Sequence, residues 1–301
     1  MSSSSDIEKE VEVAKVDLDD SLSGISEEHK AYLVAKHGTS DLVPLPSMDD
    51  NDPLNWSNGI KHLQLGMVAF HGFLGTFYAS GLVPSFGRLS ENLGMETHTV
   101  SYLVSAQIIV LGSFPMIWVP LMNKYGKRKL LILSSLGSMS FNLGAVFSTT
   151  YGALMAMRIM QAVFTSAGLA VGGAVVHETT FAHQRGSRSG VWALLVNLGT
   201  MLGAVFMGLV AERHDVKYVF LVFTCIDAFM VLCYLALGRE TLYNYEDASK
   251  NEPNTYKQLT QFRAIMPERK VNIPTIIGPL KYFGNWRIMI SALAYGVCFM
   301  H

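Results

Sequence analysis

The chain between Lys61 and Arg239 consists of long runs without any charged side chain, separated by short charged segments. A helix needs about 20 apolar residues to cross the hydrocarbon core of a bilayer, whereas a helix of a soluble protein keeps a polar face. The pattern therefore predicts an all-α membrane protein with several spans. The uncharged runs are 62–87, 97–123, 130–157, 159–177 and 189–211.

Flanking charges and turn residues divide this region into six transmembrane spans within 61–238. The longest run is split by the turn Thr149-Thr150-Tyr151-Gly152. A seventh run begins near Trp286 and reaches the last residue after about 15 positions, too few to cross a bilayer. We therefore expect a six-helix bundle and a chain truncated in a seventh helix at 286–301. The predicted spans are 63–86, 99–122, 130–149, 153–177, 190–211 and 217–238.

Basic residues in the connecting loops predict the orientation of the bundle. The loops after spans 2 and 4 carry six Lys and Arg residues, whereas those after spans 1, 3 and 5 carry three. Basic loops stay on the cytoplasmic side, so both ends of the bundle are expected there. The polar, proline-containing stretch 239–285 is interpreted as a cytoplasmic linker on the same side.

The first 60 residues form an acidic segment. Residues 1–53 hold 13 of the 24 acidic residues of the chain and only four lysines. Such a segment has too little apolar mass to fold alone, and we expect a mostly disordered cytoplasmic tail. One short helix is predicted within it, beginning after Ser26 and ending at Gly38. No cleavable signal peptide is visible before the first apolar run.

The loop after the second span resembles a motif of the major facilitator superfamily, Gly-x-x-x-Asp-Arg-x-Gly-Arg-Lys. The stretch Asn-Lys-Tyr-Gly-Lys-Arg-Lys at 123–129 matches its second half, with Val119 in place of the first Gly and Asn123 in place of the Asp. The resemblance implies a role of this loop in gating, without the salt-bridge acceptor that the Asp would supply. The gating-loop residues are Asn123, Lys124, Gly126, Lys127 and Arg128.

Further motifs of the family follow in the expected order. Arg158-x-x-Gln161-Ala resembles the Arg-x-x-Gln-Gly of span 4. Gly199-x-x-x-Gly203-Ala-x-x-x-Gly208 resembles the Gly-x-x-x-Gly-Pro-x-x-Gly-Gly of proton-driven antiporters, without its Pro. A spacing of four residues places Gly199 and Gly203 on one face, where two helix backbones can approach closely. The Asp-Pro-Leu-Asn-Trp at 52–56 looks like the pre-membrane segment of fungal drug:proton antiporter-like members.

The resemblance implies a function. A member of this branch is expected to be a monomeric, proton-coupled secondary transporter in the plasma membrane, exporting small organic molecules by alternating access. Its expected partners are the small-molecule substrate, protons and the lipid bilayer. Two alternatives stay open from the sequence. One is proton-driven uptake of a nutrient or organic anion, and the other is a truncated membrane protein that does not transport.

Three ionisable residues within the predicted spans are candidates for proton coupling, because ionisable groups at membrane depth are costly and usually functional. Arg158 takes its role from the motif; the alternative is an anchor that extends to the membrane interface. Asp227 lies near the middle of span 6 with no base in the same helix, where it could bind and release a proton or serve only in packing. Histidine is the side chain that titrates nearest neutral pH, so His71 in span 1 is either a coupling residue or simply a buried, hydrogen-bonded histidine.

Polar side chains in other spans complete the candidate site. Gln107, Gln161 and Asn197 are predicted to line one cavity with these groups, as is Asn142 in span 3. Each taken alone is also explained as a hydrogen-bonding contact between helices.

Other classes of function lack their residue patterns. No Gly-Lys-Ser/Thr phosphate loop is present, and no motif of a hydrolase or metalloprotease, so no enzyme activity and no cofactor are expected. The adjacent pair His177 and Glu178 points in directions about 100° apart on a helix, so no metal site is expected there. The three cysteines lie in apolar segments and do not indicate a disulfide framework. The acidic tail and short loops argue against nucleic-acid binding.

Overall fold

The computed structural model describes residues 26–245, 265–266, 268–269 and 271–299, and every regular element in these ranges is a helix. The prediction of disorder for residues 1–25 lies outside the described residues, as does most of the predicted linker between 246 and 270. Within these ranges, five helices are long and apolar enough to cross a membrane, and one bent pair of helices makes a sixth span if it is counted as one. The predicted all-α membrane fold with a six-span bundle is confirmed.

The spans are built from eight helices. We number the helices in chain order, beginning with α1 at Glu27–His37 before the membrane. The first span is α2, Asn58–Gly81, prolonged by α3, Phe86–Leu93; the second is the pair α4, Thr97–Ser113, and α5, Pro115–Tyr125; the others are α6, Lys127–Val146, α7, Tyr151–Thr179, α8, Ala182–Arg213, and α9, Val216–Leu237. After the bundle come α10, Ile273–Ile277, a 3-10 turn, Gly278–Gly284, and α11, Trp286–Phe299.

Several helices extend past the charges that bounded the predicted spans. α6 begins at Lys127 instead of 130, and α8 begins at Ala182 instead of 190. The predicted loop 178–189 is thereby reduced to Thr180 and Phe181. The predicted helix ends were wrong because charges mark the edge of the hydrocarbon core, whereas helical hydrogen bonding continues into the polar zone beyond it.

Proline residues interrupt the first two spans. α2 ends at Gly81, a 3-10 turn at Val83–Ser85 contains Pro84, and α3 then follows. The second span bends by 42° between α4 and α5, where Pro115 is the first residue of α5. Proline has no N–H to donate to the preceding turn and its ring clashes with it. The helix of the predicted span 63–86 is therefore interrupted near its end, and that of the predicted span 99–122 is bent near its middle.

Two glycines bring α8 into close contact with α2. A Cβ atom added at Gly199 would lie 2.4 Å from the Phe73 carbonyl oxygen, and one at Gly203 would lie 2.5 Å from the Phe77 carbonyl oxygen. Only glycine allows the two backbones to approach so closely. The third residue of the motif, Gly208, contacts only the Pro84 ring, at 3.6 Å from the added atom.

The turn between α5 and α6 is held by a buried carboxylate. Gly126 has a φ of +99°, and a Cβ at this position would lie 2.6 Å from Oε2 of Glu240. The Glu240 carboxylate accepts hydrogen bonds from the backbone N–H groups of Lys127 at 2.8 Å and Arg128 at 3.1 Å, at the N-terminus of α6. Burial raises the pKa of Glu240, while these donors and the charge of Lys127 act in the opposite direction.

The basic residues of the predicted gating loop do not lie in a loop. Lys127 and Arg128 form the first turn of α6 and are 2% and 6% exposed. The Nζ of Lys127 forms an ion pair with Glu178 at 2.5 Å, which joins α6 to the end of α7. Asn123 and Lys124 lie in the last turn of α5. The loop prediction was wrong because Gly126 alone makes the turn and the helix resumes directly after it.

The segment 26–57 packs against the bundle instead of extending freely from it. α1 is capped by the Ser26 side chain and ends at Gly38, as predicted. Leu33, Leu42 and Leu54 form a buried cluster with Phe181, the residue that joins α7 to α8. Apolar burial of this kind stabilises by about 25 cal/mol per Å², so the mostly acidic segment gains a core from the bundle that it cannot form alone.

Hydrogen bonds attach the same segment to three parts of the bundle. The Ala182 N–H donates to the Val43 carbonyl at 2.7 Å, and Lys61 Nζ donates to the Leu54 carbonyl at 2.7 Å. Beyond α9, the Tyr245 hydroxyl donates to Asp52 at 3.1 Å. These contacts hold the start of α2, the α7–α8 junction and the chain after α9 together at one end of the bundle.

Leu33→Asp is expected to release the segment 26–57 from the bundle. A carboxylate at this fully buried position would lie among apolar groups, at a cost of several kcal/mol. Limited proteolysis in detergent measures the effect as faster cleavage within residues 38–57. Val34→Asp is the matched control, since Val34 is 51% exposed. Equal cleavage rates in the two variants would contradict the docking.

Candidate functional site

Eight polar side chains form one buried network in the core of the bundle. They come from five helices, α2, α4, α6, α7 and α9, and none is more than 1% exposed. Two helices can pack together through apolar side chains alone, without polar groups of this kind. Each polar side chain of the network must find a partner, because an unpaired polar group in a membrane interior costs several kcal/mol. The polar network consists of Tyr78, Gln107, Ser138, Asn142, Arg158, Gln161, Thr165 and Asp227.

Asp227 on α9 is the acceptor at one end of the network. Its Oδ2 accepts from the Ser138 hydroxyl at 2.7 Å and from the Asn142 amide at 2.8 Å. Its Oδ1 accepts from the Tyr78 hydroxyl at 3.0 Å. Three neutral donors from two helices therefore surround one carboxylate. Because every partner is a donor, the arrangement fits the ionised form of Asp227.

Arg158 on α7 is the donor at the other end. Its Nη2 donates to the Tyr78 carbonyl at 2.8 Å and to the Gln107 side-chain oxygen. The Phe220 ring lies over the guanidinium, 5.9 Å from Cζ to the ring centroid, at a distance typical of a cation–π contact. The side chain is fully buried and thus points into the core rather than to the membrane interface.

Hydrogen bonds between neutral side chains join the two charged ends. Gln107 donates to Gln161 at 3.2 Å, and Gln161 donates to the Thr165 hydroxyl at 2.7 Å. The Thr165 and Ser138 hydroxyls lie 2.9 Å apart and share the next bond. The chain from Arg158 to Asp227 is therefore continuous, so a change of protonation at one end alters hydrogen bonding at the other.

Tyr78 closes this chain into a ring. Its carbonyl accepts from Arg158 and its hydroxyl donates to Asp227, so one residue of α2 contacts both charged groups. Arg158 and Asp227 do not form an ion pair within 4.0 Å; Tyr78 and the chain of neutral side chains lie between them. The two opposite charges are thus linked indirectly, which leaves each able to change partners.

Two of the predicted site residues lie apart from the polar network. His71 is fully buried but shares its hydrogen bond with the Tyr234 hydroxyl, at 3.1 Å from Nδ1. Asn197 is half-buried, and its amide donates to the Ala193 carbonyl of its own helix at 2.7 Å. These hydrogen bonds do not include a member of the polar network, and a cavity shared by His71, Asn197 and Arg158 stays a prediction.

Ser138, Thr165 and Tyr78 are network members that the sequence prediction missed as site residues. Hydroxyl residues are common in membrane helices and often bond to their own backbone, so no single position stands out. A weak signal is present, since Ser138 lies four residues before Asn142 and Thr165 lies four residues after Gln161. Residues four apart share one helix face, which would have grouped these pairs.

The described part of the chain has neither a metal site nor a disulfide bond. No group of three or more His, Cys, Asp and Glu side chains there could hold a metal ion. Cys225 and Cys233 are free thiols, and the Cys298 side chain lies outside the described residues. His177 and Glu178 have no common role, since Glu178 is engaged by Lys127.

Comparison with known proteins identifies the family. Residues 68–300 match the sequence profile of the Major Facilitator Superfamily. The chain belongs to this superfamily. Within it, the chain falls in the fungal drug-efflux-like branch, as its motifs predicted, and it is an integral, multi-pass membrane protein.

Two curated relatives illustrate this placement. The chain is 30% identical over 220 residues to the efflux pump vrtL of Penicillium aethiopicum, covering 67% of this chain and 44% of that protein. It is 26% identical over 196 residues to the trichosetin biosynthesis cluster MFS transporter of Gibberella fujikuroi, covering 65% of this chain and 41% of that protein. The chain therefore spans less than half the length of these relatives.

A solved structure of a peptide transporter POT in complex with sulfate is also similar. The match covers 76% of this chain and 45% of the peptide transporter chain, with a TM-score of 0.48 and 12% sequence identity.

Proposed function

We propose that the protein is a proton-coupled secondary transporter that exports small organic molecules by alternating access. The observation that carries this proposal is the closed polar network, which holds one ionisable acid and one buried cation without a direct ion pair. Buried ionisable groups in membrane helices commonly belong to proton relays and ion pathways. Export is supported by the similar efflux pump of Penicillium aethiopicum.

Protonation of Asp227 would change the packing of three helices. The ionised carboxylate accepts from Tyr78 on α2 and from Ser138 and Asn142 on α6. A protonated carboxyl group becomes a donor at one oxygen, so at least one of these three donors must find another acceptor. The contacts of α9 with α2 and α6 thereby acquire two alternative arrangements, which is the property that a transporter needs at a coupling site.

Protonation would also leave the Arg158 charge uncompensated. With Asp227 ionised, the polar network has no net charge, and with Asp227 protonated it carries one positive charge. A charge in a medium of low dielectric constant is unfavourable, so the protonated state favours a conformation in which water or substrate reaches Arg158. This coupling between charge and exposure is the proposed link between proton binding and alternating access.

Transport in reconstituted vesicles tests the proposed function. Proteoliposomes loaded with rhodamine 6G, or in a parallel series with citrate, are diluted into buffers that impose a pH gradient in either direction. We expect release of one of these probes to be faster with the gradient than without it, and to stop when a protonophore removes the gradient. Release that is equal with and without the gradient for both probes would contradict proton coupling.

We propose that the protein lies in the plasma membrane, with α1 and the α7–α8 junction on the cytoplasmic side. Ser187 is exposed near the start of α8 and serves as the reporter. A cysteine at this position, in a background without native cysteines, is expected to react with an impermeant reagent only after permeabilisation, because basic segments stay inside. A cysteine at Glu96, beyond α3, is the opposite-side control. Labelling of Ser187→Cys in intact cells would contradict the proposed orientation and indicate the opposite one.

A further inference from the structure

A cavity opens at the end of the bundle opposite the Lys127–Glu178 ion pair. Its volume is about 330 Å³, and its walls come from α3, the α6–α7 turn and the start of α9. Asp215 and Lys217 lie at its mouth, and both are exposed. Its floor is formed by the buried side chains of Ala145, Leu154 and Phe220. Under the proposed orientation, this cavity faces the non-cytoplasmic side, and we name it the outer cavity.

Each floor residue lies above a member of the polar network on the same helix. On α7, Leu154 lies four residues before Arg158, about 6 Å along the axis. On α6, Ala145 lies three residues after Asn142, about 4.5 Å along the axis. On α9, Phe220 lies two turns before Asp227, and its ring also covers the Arg158 guanidinium. Phe220 therefore contacts both the outer cavity and a charged group of the network.

Three polar atoms of the network residues beneath this floor lack a hydrogen-bond partner. Arg158 Nε and Nη1 and Asn142 Oδ1 are buried without a partner, while the other polar atoms of these side chains are bonded. Buried donors and acceptors left unpaired are rare and are commonly satisfied by water. Two unpaired donors and one unpaired acceptor, directly beneath a cavity with polar groups at its mouth, indicate positions that water occupies.

We propose that the outer cavity is the route by which water and protons from the non-cytoplasmic side reach the polar network, with Phe220 as the side chain that closes it. The role of the protons rests on the proposed function, whereas access of water does not. When the Phe220 ring moves aside, water can bind the free atoms of Arg158 and Asn142, and Asn142 itself contacts Asp227. A proton carried by this water then reaches the Asp227 carboxylate directly, because the Asn142 amide and the Arg158 guanidinium hold water but do not pass protons on.

The charges along this route are few. The groups in contact with Asp227 are the ionisable Tyr78 from α2 and the neutral Ser138 and Asn142 from α6. Arg158 from α7 is linked to Asp227 only through Tyr78 and the neutral side chains. At the mouth, Asp215 and Lys217 have opposite charges, so the opening has no strong preference for the sign of an ion. The positive charge of Arg158 beneath the floor opposes the passage of metal cations, while protons are transferred along hydrogen bonds.

Cysteine accessibility tests whether water fills the outer cavity. In a background in which Cys225, Cys233 and Cys298 are replaced by alanine, Ala145→Cys is treated with an impermeant methanethiosulfonate reagent from each side in turn. Leu143→Cys is the matched control on the same helix, since Leu143 is 43% exposed on the outside of the bundle and faces lipid. The cysteine thiolate attacks the reagent's sulfur and displaces methanesulfinate, and the thiolate forms readily only in contact with water.

We expect Ala145→Cys to react about tenfold faster than Leu143→Cys with the reagent on the non-cytoplasmic side, because only the former thiol is hydrated. Equal rates for the two positions, or reaction of Ala145→Cys only from the cytoplasmic side, would overturn the proposed route.

Proton leak tests the closing role of Phe220. Proteoliposomes containing a pH-sensitive dye and no substrate are exposed to an acidic exterior with the membrane potential clamped. Phe220→Ala is expected to increase proton influx about tenfold, because water replaces the ring between the cavity and the polar groups. Phe229→Ala is the control, since Phe229 is on the same helix and 59% exposed. Adding Asp227→Asn to Phe220→Ala is expected to return the influx to the control level.

The outcomes separate this inference from the proposed function. If wild-type vesicles show no gradient-driven transport, yet Ala145→Cys is labelled and Phe220→Ala leaks protons, the proposed function fails and the route stands. If transport is proton-coupled, but Phe220→Ala and Phe229→Ala leak equally while both elute as folded protein, the closing role is overturned and the proposed function stands.

Discussion

Arg158→Ala is expected to abolish gradient-driven transport while the protein still reaches the membrane in near-normal amount. The substitution removes the only cation of the polar network, so protonation of Asp227 no longer creates an uncompensated positive charge. Two acceptors, the Tyr78 carbonyl and the Gln107 side-chain oxygen, lose a donor. Each buried acceptor left unpaired costs about 1–3 kcal/mol, and water from the outer cavity can satisfy part of this loss.

The measurement for Arg158 is probe release from proteoliposomes across a range of pH gradients. Arg158→Lys is expected to recover only part of the activity, because the ammonium keeps the charge but not the planar set of donors that contacts Tyr78 and Gln107 together. Arg213→Ala is the control at an exposed arginine near the end of α8. Transport by Arg158→Ala with an unchanged pH profile would show that Arg158 has a structural role only.

Asp227→Asn is expected to remove the pH dependence of transport and to lower the gradient-driven rate about tenfold or more, because the amide cannot take up a proton. The replacement nearly preserves size. However, an amide has only one acceptor oxygen, whereas the carboxylate accepts from Tyr78, Ser138 and Asn142. One donor is therefore left unpaired or must reorient, which is expected to lower the free energy of unfolding by about 1–3 kcal/mol.

The measurement for Asp227 combines transport with counterflow. Exchange of labelled for unlabelled probe at equal pH does not require net proton movement, so Asp227→Asn is expected to retain exchange while losing gradient-driven release. Asp227→Glu keeps an ionisable group and is expected to retain a pH-dependent rate, reduced by the extra methylene in a packed site. Unaltered gradient-driven release by Asp227→Asn would exclude Asp227 as the coupling carboxylate and would leave the proposed function without a named acid.

The two charged residues of the site were predictable because of their isolation in the sequence. Asp227 is preceded by nine uncharged residues and followed by 11, and Arg158 alone interrupts a long uncharged stretch. Burying a charge in a membrane interior is costly, so its presence is a local and visible signal. Gln107 was predicted as an amide side chain at membrane depth and Gln161 from the motif that it shares with Arg158, and the structure brings both into the polar network.

His71 and Asn197 show the limit of the same reasoning. Both are polar residues at membrane depth and carry the same signal in the sequence as Gln107. The signal says that such a group must find a partner, but it does not say which helix supplies it. His71 finds the Tyr234 hydroxyl, and Asn197 finds a carbonyl of its own helix. Neither therefore contributes to the ring that joins Arg158 to Asp227.

The sequence by itself determined the number of spans, their order and the identity of the two charged groups, because hydrophobic length and the cost of a buried charge act locally along the chain. Only the tertiary structure decided that Tyr78 joins Arg158 to Asp227 and that Glu240 holds the turn at Gly126. Tyr78 and Asp227 are 149 positions apart, and Glu240 lies 113 positions after Lys127. Contacts over such separations depend on which helix faces pack together, and that choice is made by the whole bundle at once.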